Sequence, residues 1–244
     1  RRDARVAARD GRGRLRGLPG ERTMKALWKR IMANRYWPYA LYLPAYLLAF
    51  WVIERFMPAD RVYWPSWIPL DDKIPFRAGF VYFYVMWFPY LVVPGVFWLL
   101  NEPETFRRYM LSIALGFTFA VIVCVVFPNC QNMRPDPVPG KGLAPAIVRM
   151  LYAADTNTNV LPSVHVIGAA VMAYACAYSP AVRRHGWMLP CVIVLAVMIT
   201  FSTLFIKQHS ALDVITALAV CVPLWFAVYG KRGIPVLRDA KRAK

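Results

Sequence analysis

Three short stretches of this chain gather polar residues of the types that move phosphoryl groups: Arg134-Pro135, Pro162-Ser163-Val164-His165, and Lys207-Gln208-His209 followed by Asp213. His209 and Asp213 are four residues apart. On a helix that has begun by then they share one face, so the carboxylate accepts a hydrogen bond from one ring nitrogen and leaves the other free to attack. Such a carboxylate also fixes the tautomer and stabilises positive charge on the ring, which makes His209 the candidate nucleophile and Asp213 its orienter. His165 is the candidate general acid, a role typically worth about 10²–10⁴ in rate. Phosphoryl transfer otherwise needs cations and N–H donors around the phosphate oxygens, and Arg134, Lys207, Ser163 and the amides of a helix start are suited to that. The third histidine, His185, sits beside Arg183 and Arg184 and reads as a solvated loop residue.

The elements that must position these groups are membrane helices. At 244 residues the chain is 59% hydrophobic and only 18% charged, so water is not its main solvent. Lipid offers backbone groups no partner, and a helix that satisfies them internally needs roughly 20 apolar residues to cross. Six apolar segments, near residues 37–55, 78–100, 107–127, 164–180, 187–205 and 212–229, meet or nearly meet that length. The fold expected is therefore all-α and polytopic, with six transmembrane helices and both termini cytoplasmic. Under that topology 22 of the thirty Lys and Arg lie on the cytoplasmic side, as the retention of positive charge requires. All three polar stretches then fall together on the opposite side, where the long, proline-bearing connections 56–77 and 128–163 also lie.

The net charge of +17 is carried largely by two tails, with twelve Lys and Arg in residues 1–35 and six in 231–244. No recognition module accompanies it, which argues against nucleic acid and for contact with anionic lipid head groups. Residues 1–23 form a basic extension expected to be disordered, Met24 reads as a start, and 231–244 form a basic cytoplasmic tail around a membrane domain at 24–230. The five cysteines have no CxxC or zinc-like spacing, and four lie in apolar stretches as small packing residues.

The three blocks resemble the type 2 phosphatidic acid phosphatase superfamily, whose pattern is KxxxxxxRP, PSGH and SRxxxxxHxxxD. The matches are Arg134-Pro135, Pro162-Ser163-Val164-His165, and Ser202 with His209 and Asp213 at the family's intervals. The stretches from Leu70 to Phe76 and from Thr158 to His165 look like the branch that includes inositol phosphorylceramide synthases. The resemblance implies a phosphohistidine on His209, orientation by Asp213, proton transfer by His165, phosphate binding by Arg134 and Ser163, and no metal or other cofactor. The chain departs from the pattern at Phe127, Val164 and Thr203, which stand where Lys, Gly and Arg are expected. Lys207 is the candidate to replace a missing cation, with Lys141 and Arg149 as weaker ones. Val164 still offers its backbone N–H, though its side chain narrows the approach.

Plainer readings exist for each block. A membrane histidine is often structural, His-x-x-x-Asp also occurs as a packing hydrogen bond, and Lys207 also fits a snorkelling residue. A metal set of His165, His209, Asp213 and Asp155 is disfavoured by the neighbouring cations, and Asp71 with Asp72 reads as a loop feature or a partner for those cations. The agreement of order, spacing and common side favours catalysis. The expected activity is hydrolysis of a phosphate monoester or diphosphate on a phospholipid or polyprenyl carrier, in a bacterial inner (plasma) membrane with the site facing the periplasm or exterior. A phosphotransferase passing the head group to an inositol- or ceramide-like alcohol is the close alternative. A non-catalytic lipid or ion transporter with a His/Asp proton relay is the alternative of another class.

Overall fold

The computed structural model describes residues 19–56 and 61–230, and among them the fold is helical with almost no strand. In chain order the helices are α1 (Pro19–Ala33), α2 (Tyr42–Phe56), α3 (Val81–Asn101), α4 (Pro103–Val126), α5 (Leu143–Ala154), α6 (Val164–Tyr178), the single turn α7 (Pro180–Arg183), α8 (Met188–Phe205) and α9 (Ala211–Tyr229). Each apolar segment found in the sequence holds one of them. Four helices, α3 with its preceding turn, α4, α8 and α9, are long and apolar enough to cross a membrane. The pair Met24–Ala33 and Trp37–Phe56, bent by 102°, is a fifth candidate. The chain is thus an integral membrane protein by the length and composition of its helices. Exposed side chains such as Val93, Ile122, Val194, Val222 and Phe226 have lipid as their natural solvent.

The fourth expected segment yields only the 15 residues of α6, about 22 Å of helix against a hydrocarbon core of about 30 Å. Its position explains how a short helix serves. It packs against α3, α4, α8 and α9 and buries Val166, Ile167, Val171, Met172 and Ala175 almost completely, so protein rather than lipid surrounds it. Gly116 on α4 permits the close approach, since a Cβ there would lie 2.7 Å from Ile167 Cγ2.

Two helices fall where loops were expected. Helix α1 starts at Pro19, so residues 19–23 belong to a helix rather than to the disordered extension; proline at the first helical position loses no hydrogen bond. The rest of that extension and the tail 231–244 lie outside the described residues. Helix α5 rises inside the connection 128–163 because Ile147, Val148 and Leu151 form a short apolar face. Val148 is fully buried and joins Val81, Tyr84 and Ile206 in a second small core. A two-residue parallel pairing of β1 (Trp64–Pro65) with β2 (Asn129–Cys130) ties the two long connections together over the same end of the bundle.

Candidate active site

The polar stretches meet where α6 and α9 begin and α8 ends. Ser163 caps α6, its hydroxyl accepting from Val166 N at 3.4 Å, which sets His165 in the first turn. Ser210 caps α9 in a reciprocal box: its Oγ accepts from Asp213 N at 3.1 Å, and Asp213 Oδ2 accepts from Ser210 N at 2.9 Å. This is the arrangement that satisfies two orphan donors at a helix start. His209 therefore lies just ahead of the cap rather than on the helix. Its contact with Asp213, Nδ1 to Oδ2 at 3.3 Å, comes from the folded-back cap and not from a shared helical face.

The turn that carries His209 is fastened at every carbonyl from 203 to 207. Thr203 O accepts from the amides of Gln208 and His209 at 2.9 and 3.1 Å, Leu204 O from Lys207 N at 3.1 Å, and Phe205 O from Arg77 N at 2.8 Å. Ile206 O accepts from the Tyr152 hydroxyl at 2.5 Å and Lys207 O from Gln131 Nε2 at 2.8 Å. Lys207 itself takes φ +53°, the left-handed conformation that turns the chain. Asp213 is fully buried and also accepts from the Ser66 hydroxyl, so its carboxylate is held on both oxygens. A group so surrounded is preorganised.

His165 is held differently. Its ring lies between Tyr84 and Trp87 of α3, with centroids 4.2 and 4.4 Å away, and its own centroid is 5.9 Å from that of His209. Both ring nitrogens of His165 are shielded and neither has a hydrogen-bond partner in the protein. Ser163, through its amide at 3.3 Å from Asp213 O, links the two helix starts, and Val164 opens α6 beside His165. The structure thus brings together His165, His209, Asp213, Ser163 and Val164.

The two cations are turned to other work. Arg134 donates from Nη1 to Asp155 O at 2.8 Å, and from Nη2 to Thr156 O at 2.7 Å and to Gln208 Oε1, while its guanidinium lies over the Tyr152 ring. Burial pushes it below the ordinary arginine range, with Asp155 opposing. Lys207 Nζ donates to Asp71 O at 2.9 Å and Ile74 O at 2.7 Å. Burial lowers this ammonium as well, against the pull of Asp71 and Asp72. Asp71 in turn accepts from Ala211 N at 2.7 Å and Ile68 N at 3.0 Å, and Asp72 from Trp67 Nε1 at 3.1 Å, so the acidic pair fastens main chain and loop. Thr203, at the position where a third-block Arg is expected, is fully buried and bonds Thr200 O. Among the described residues no three His, Cys, Asp or Glu side chains are grouped as metal ligands.

Several residues that shape the site carried no signal in the sequence. Ser66 is a single serine in a loop, Gln131 and Asn129 read as ordinary polar loop residues, Tyr84 looks like a core aromatic of an apolar helix, and Trp87 reads from the sequence as an interfacial anchor near a helix end, whereas the structure buries it. Asn129 Oδ1 takes the amides of Val160 and Leu161, each at 2.8 Å, which leads the chain into the Ser163 cap. No family model matches this chain, and neither a curated protein nor a solved structure does.

Proposed function

We propose that the chain is a membrane enzyme that hydrolyses a phosphate monoester or diphosphate of a lipid, such as phosphatidate or a polyprenyl diphosphate, through a phosphohistidine on His209. The observation that carries this reading is the pair of imidazoles from different elements, 5.9 Å apart by centroid, one oriented by a buried carboxylate and the other with both nitrogens unengaged. A merely structural histidine is normally held through its ring nitrogens. His165 is not.

In this mechanism Nε2 of His209 attacks phosphorus while Nδ1 stays on Asp213. The N–P bond forms as the P–O bond to the lipid breaks, and His165 gives its proton to the departing oxygen. Water then attacks phosphorus and loses a proton to His165, the P–N bond breaks, and inorganic phosphate leaves. Ser163 and the first amides of α6, Val164 included, are the proposed donors to the phosphate oxygens. Arg134 and Lys207, committed to carbonyls, contribute positive field more than direct contact.

The same proposal includes six crossings, with α6 as a short one carried by its neighbours and both termini cytoplasmic. The distribution of Lys and Arg supports it. That orientation gives a site at the outer leaflet of a bacterial inner (plasma) membrane, with the lipid arriving sideways and its tails remaining in hydrocarbon.

Purified protein in EDTA is expected to release inorganic phosphate from phosphatidate or a polyprenyl diphosphate, and His209→Ala to lower kcat/KM by at least about 10⁴-fold without loss of the folded state. Absence of phosphate release by the parent protein on every such lipid would overturn the hydrolase reading. A new phosphodiester lipid, formed from phosphatidylinositol and ceramide, would assign the same residues to transfer onto an alcohol.

A further inference from the structure

We infer that Tyr84 and Trp87 form an aromatic clamp that sets the ring of His165 for proton transfer to the departing lipid oxygen. They are positioning residues, and the inference rests on the phosphohistidine reading above. Placed at i and i+3 on α3, the two side chains leave the helix on one face. Their rings meet the imidazole at interplanar angles of 25°, a stacked contact for Tyr84, and 37°, a tilted one for Trp87, both within the offset geometries that aromatic pairs adopt.

The contrast with His209 gives the clamp its meaning. His209 is oriented at an edge, by the carboxylate on Nδ1. His165 has no such edge contact in the protein, so the faces of its ring are what hold it, and neither nitrogen is spent on a protein partner. The clamp is itself confined. Tyr84 and Trp87 are buried, and Tyr84 shares the small core with Ile206, three residues before His209. Trp87 lies so close to α6 that a Cβ on Gly168 would come within 2.9 Å of its Nε1 and 3.1 Å of its Cζ2. Helix α3 therefore bears on both imidazoles at once, through Tyr84 on the turn of one and through both rings on the other.

Core filling alone would also put aromatic rings here, and leaving-group dependence separates the two roles. The quantity kcat/KM reports events up to departure of the leaving group. An alkoxide departs only with a proton, whereas 4-nitrophenolate departs without one. For a short-chain phosphatidate and 4-nitrophenyl phosphate, Trp87→Leu is expected to lose at least about tenfold more kcat/KM on the first than on the second, the selectivity also expected of His165→Ala. Trp87→Phe, which keeps a flat face, retains most of the parent ratio. Gly168→Ala, which displaces the indole without deleting it, shows the same selectivity at smaller size, and with Tyr84→Leu it carries the comparison should Trp87→Leu fail to fold.

Equal losses on both substrates, or an unchanged ratio, would make the two rings packing residues and overturn the inference. If the parent cleaves both substrates but His165→Ala shows no leaving-group selectivity, the inference fails with the acid role of His165 alone. If the parent releases phosphate from neither of these nor from a polyprenyl diphosphate, the phosphohistidine reading itself falls and takes the clamp with it.

Discussion

At the end of the bundle where α4 starts, Glu104 accepts from Arg107 at 2.9 Å and from Arg108 at 3.1 Å, and both guanidiniums are buried. Arg108 reaches on to Val228 O of α9, and Glu102 takes the hydroxyl of Ser179 at 2.9 Å and the amide of Ala181 at 3.0 Å at the start of α7. At the opposite end, Asp213 is just as enclosed, and Lys207 and Arg134 are as fully engaged with carbonyls as any cation of the first cluster. The two ends differ in one respect: only the second encloses imidazoles, His185 at the first being exposed, and one of the enclosed rings has both nitrogens unengaged. Buried charge by itself is therefore no mark of chemistry in this molecule. It joins helix ends, and it does so at both ends.

The largest test of that contrast is Glu104→Ala. Removing the shared acid leaves two buried guanidiniums without it, and breaking a buried pair costs about 3–5 kcal/mol. The side chain of Glu104 is 32% exposed, so the lower end of that range is expected, read as a lower melting temperature in detergent. Phosphate release per folded molecule should stay within about twofold, because distant sites act independently. A tenfold fall in kcat at unchanged melting temperature would break the contrast.

Lys207→Ala sharpens it at intermediate size. Two carbonyls lose their donor, at a cost of about 1–3 kcal/mol. If the ammonium serves only the 71–74 turn, the melting temperature falls while KM for a phosphate substrate moves by less than about threefold. A rise in KM above about tenfold with the melting temperature kept would return Lys207 to the phosphate.

How much of this was legible in the sequence follows from what each residue type announces. The helices of the six apolar segments were, because apolar length is an additive property of a segment; even α6, too short for the length test, was located by its hydropathy. The imidazole pair was, because histidine and aspartate are rare in apolar sequence and their spacing survives in the cap. What stayed hidden depends on contacts between distant segments. The bond from Ser66 to Asp213 spans 147 residues, and nothing local marks Ser66 for it. Lys207 looked available to a phosphate since the carbonyls that bind it, of Asp71 and Ile74, have no sequence signature. Tyr84 and Trp87 were hidden for the reverse reason: aromatic residues in an apolar helix have a sufficient explanation already. Helix α5 was missed because its apolar face is only a few residues long and four prolines precede it in the same connection.

The smallest effect is expected at Ser210. Its hydroxyl accepts from Asp213 N, completing the cap of α9, and lies 2.8 Å from the Ser66 hydroxyl. Alanine there removes a helix cap, which costs about 0.5–2 kcal/mol. The carboxylate that orients His209 keeps its other contacts, since Ser210 donates to it through the main chain and Ser66 through its own hydroxyl. Ser210→Ala should thus lower the melting temperature modestly and change kcat by less than about fivefold, whereas Ser66→Ala, which frees Oδ1, should change kcat more than Ser210→Ala does. Should Ser210→Ala prove the more damaging of the two to kcat, the cap hydroxyl rather than the Ser66 contact holds Asp213 in register, and the orientation of His209 is a property of the α9 start alone.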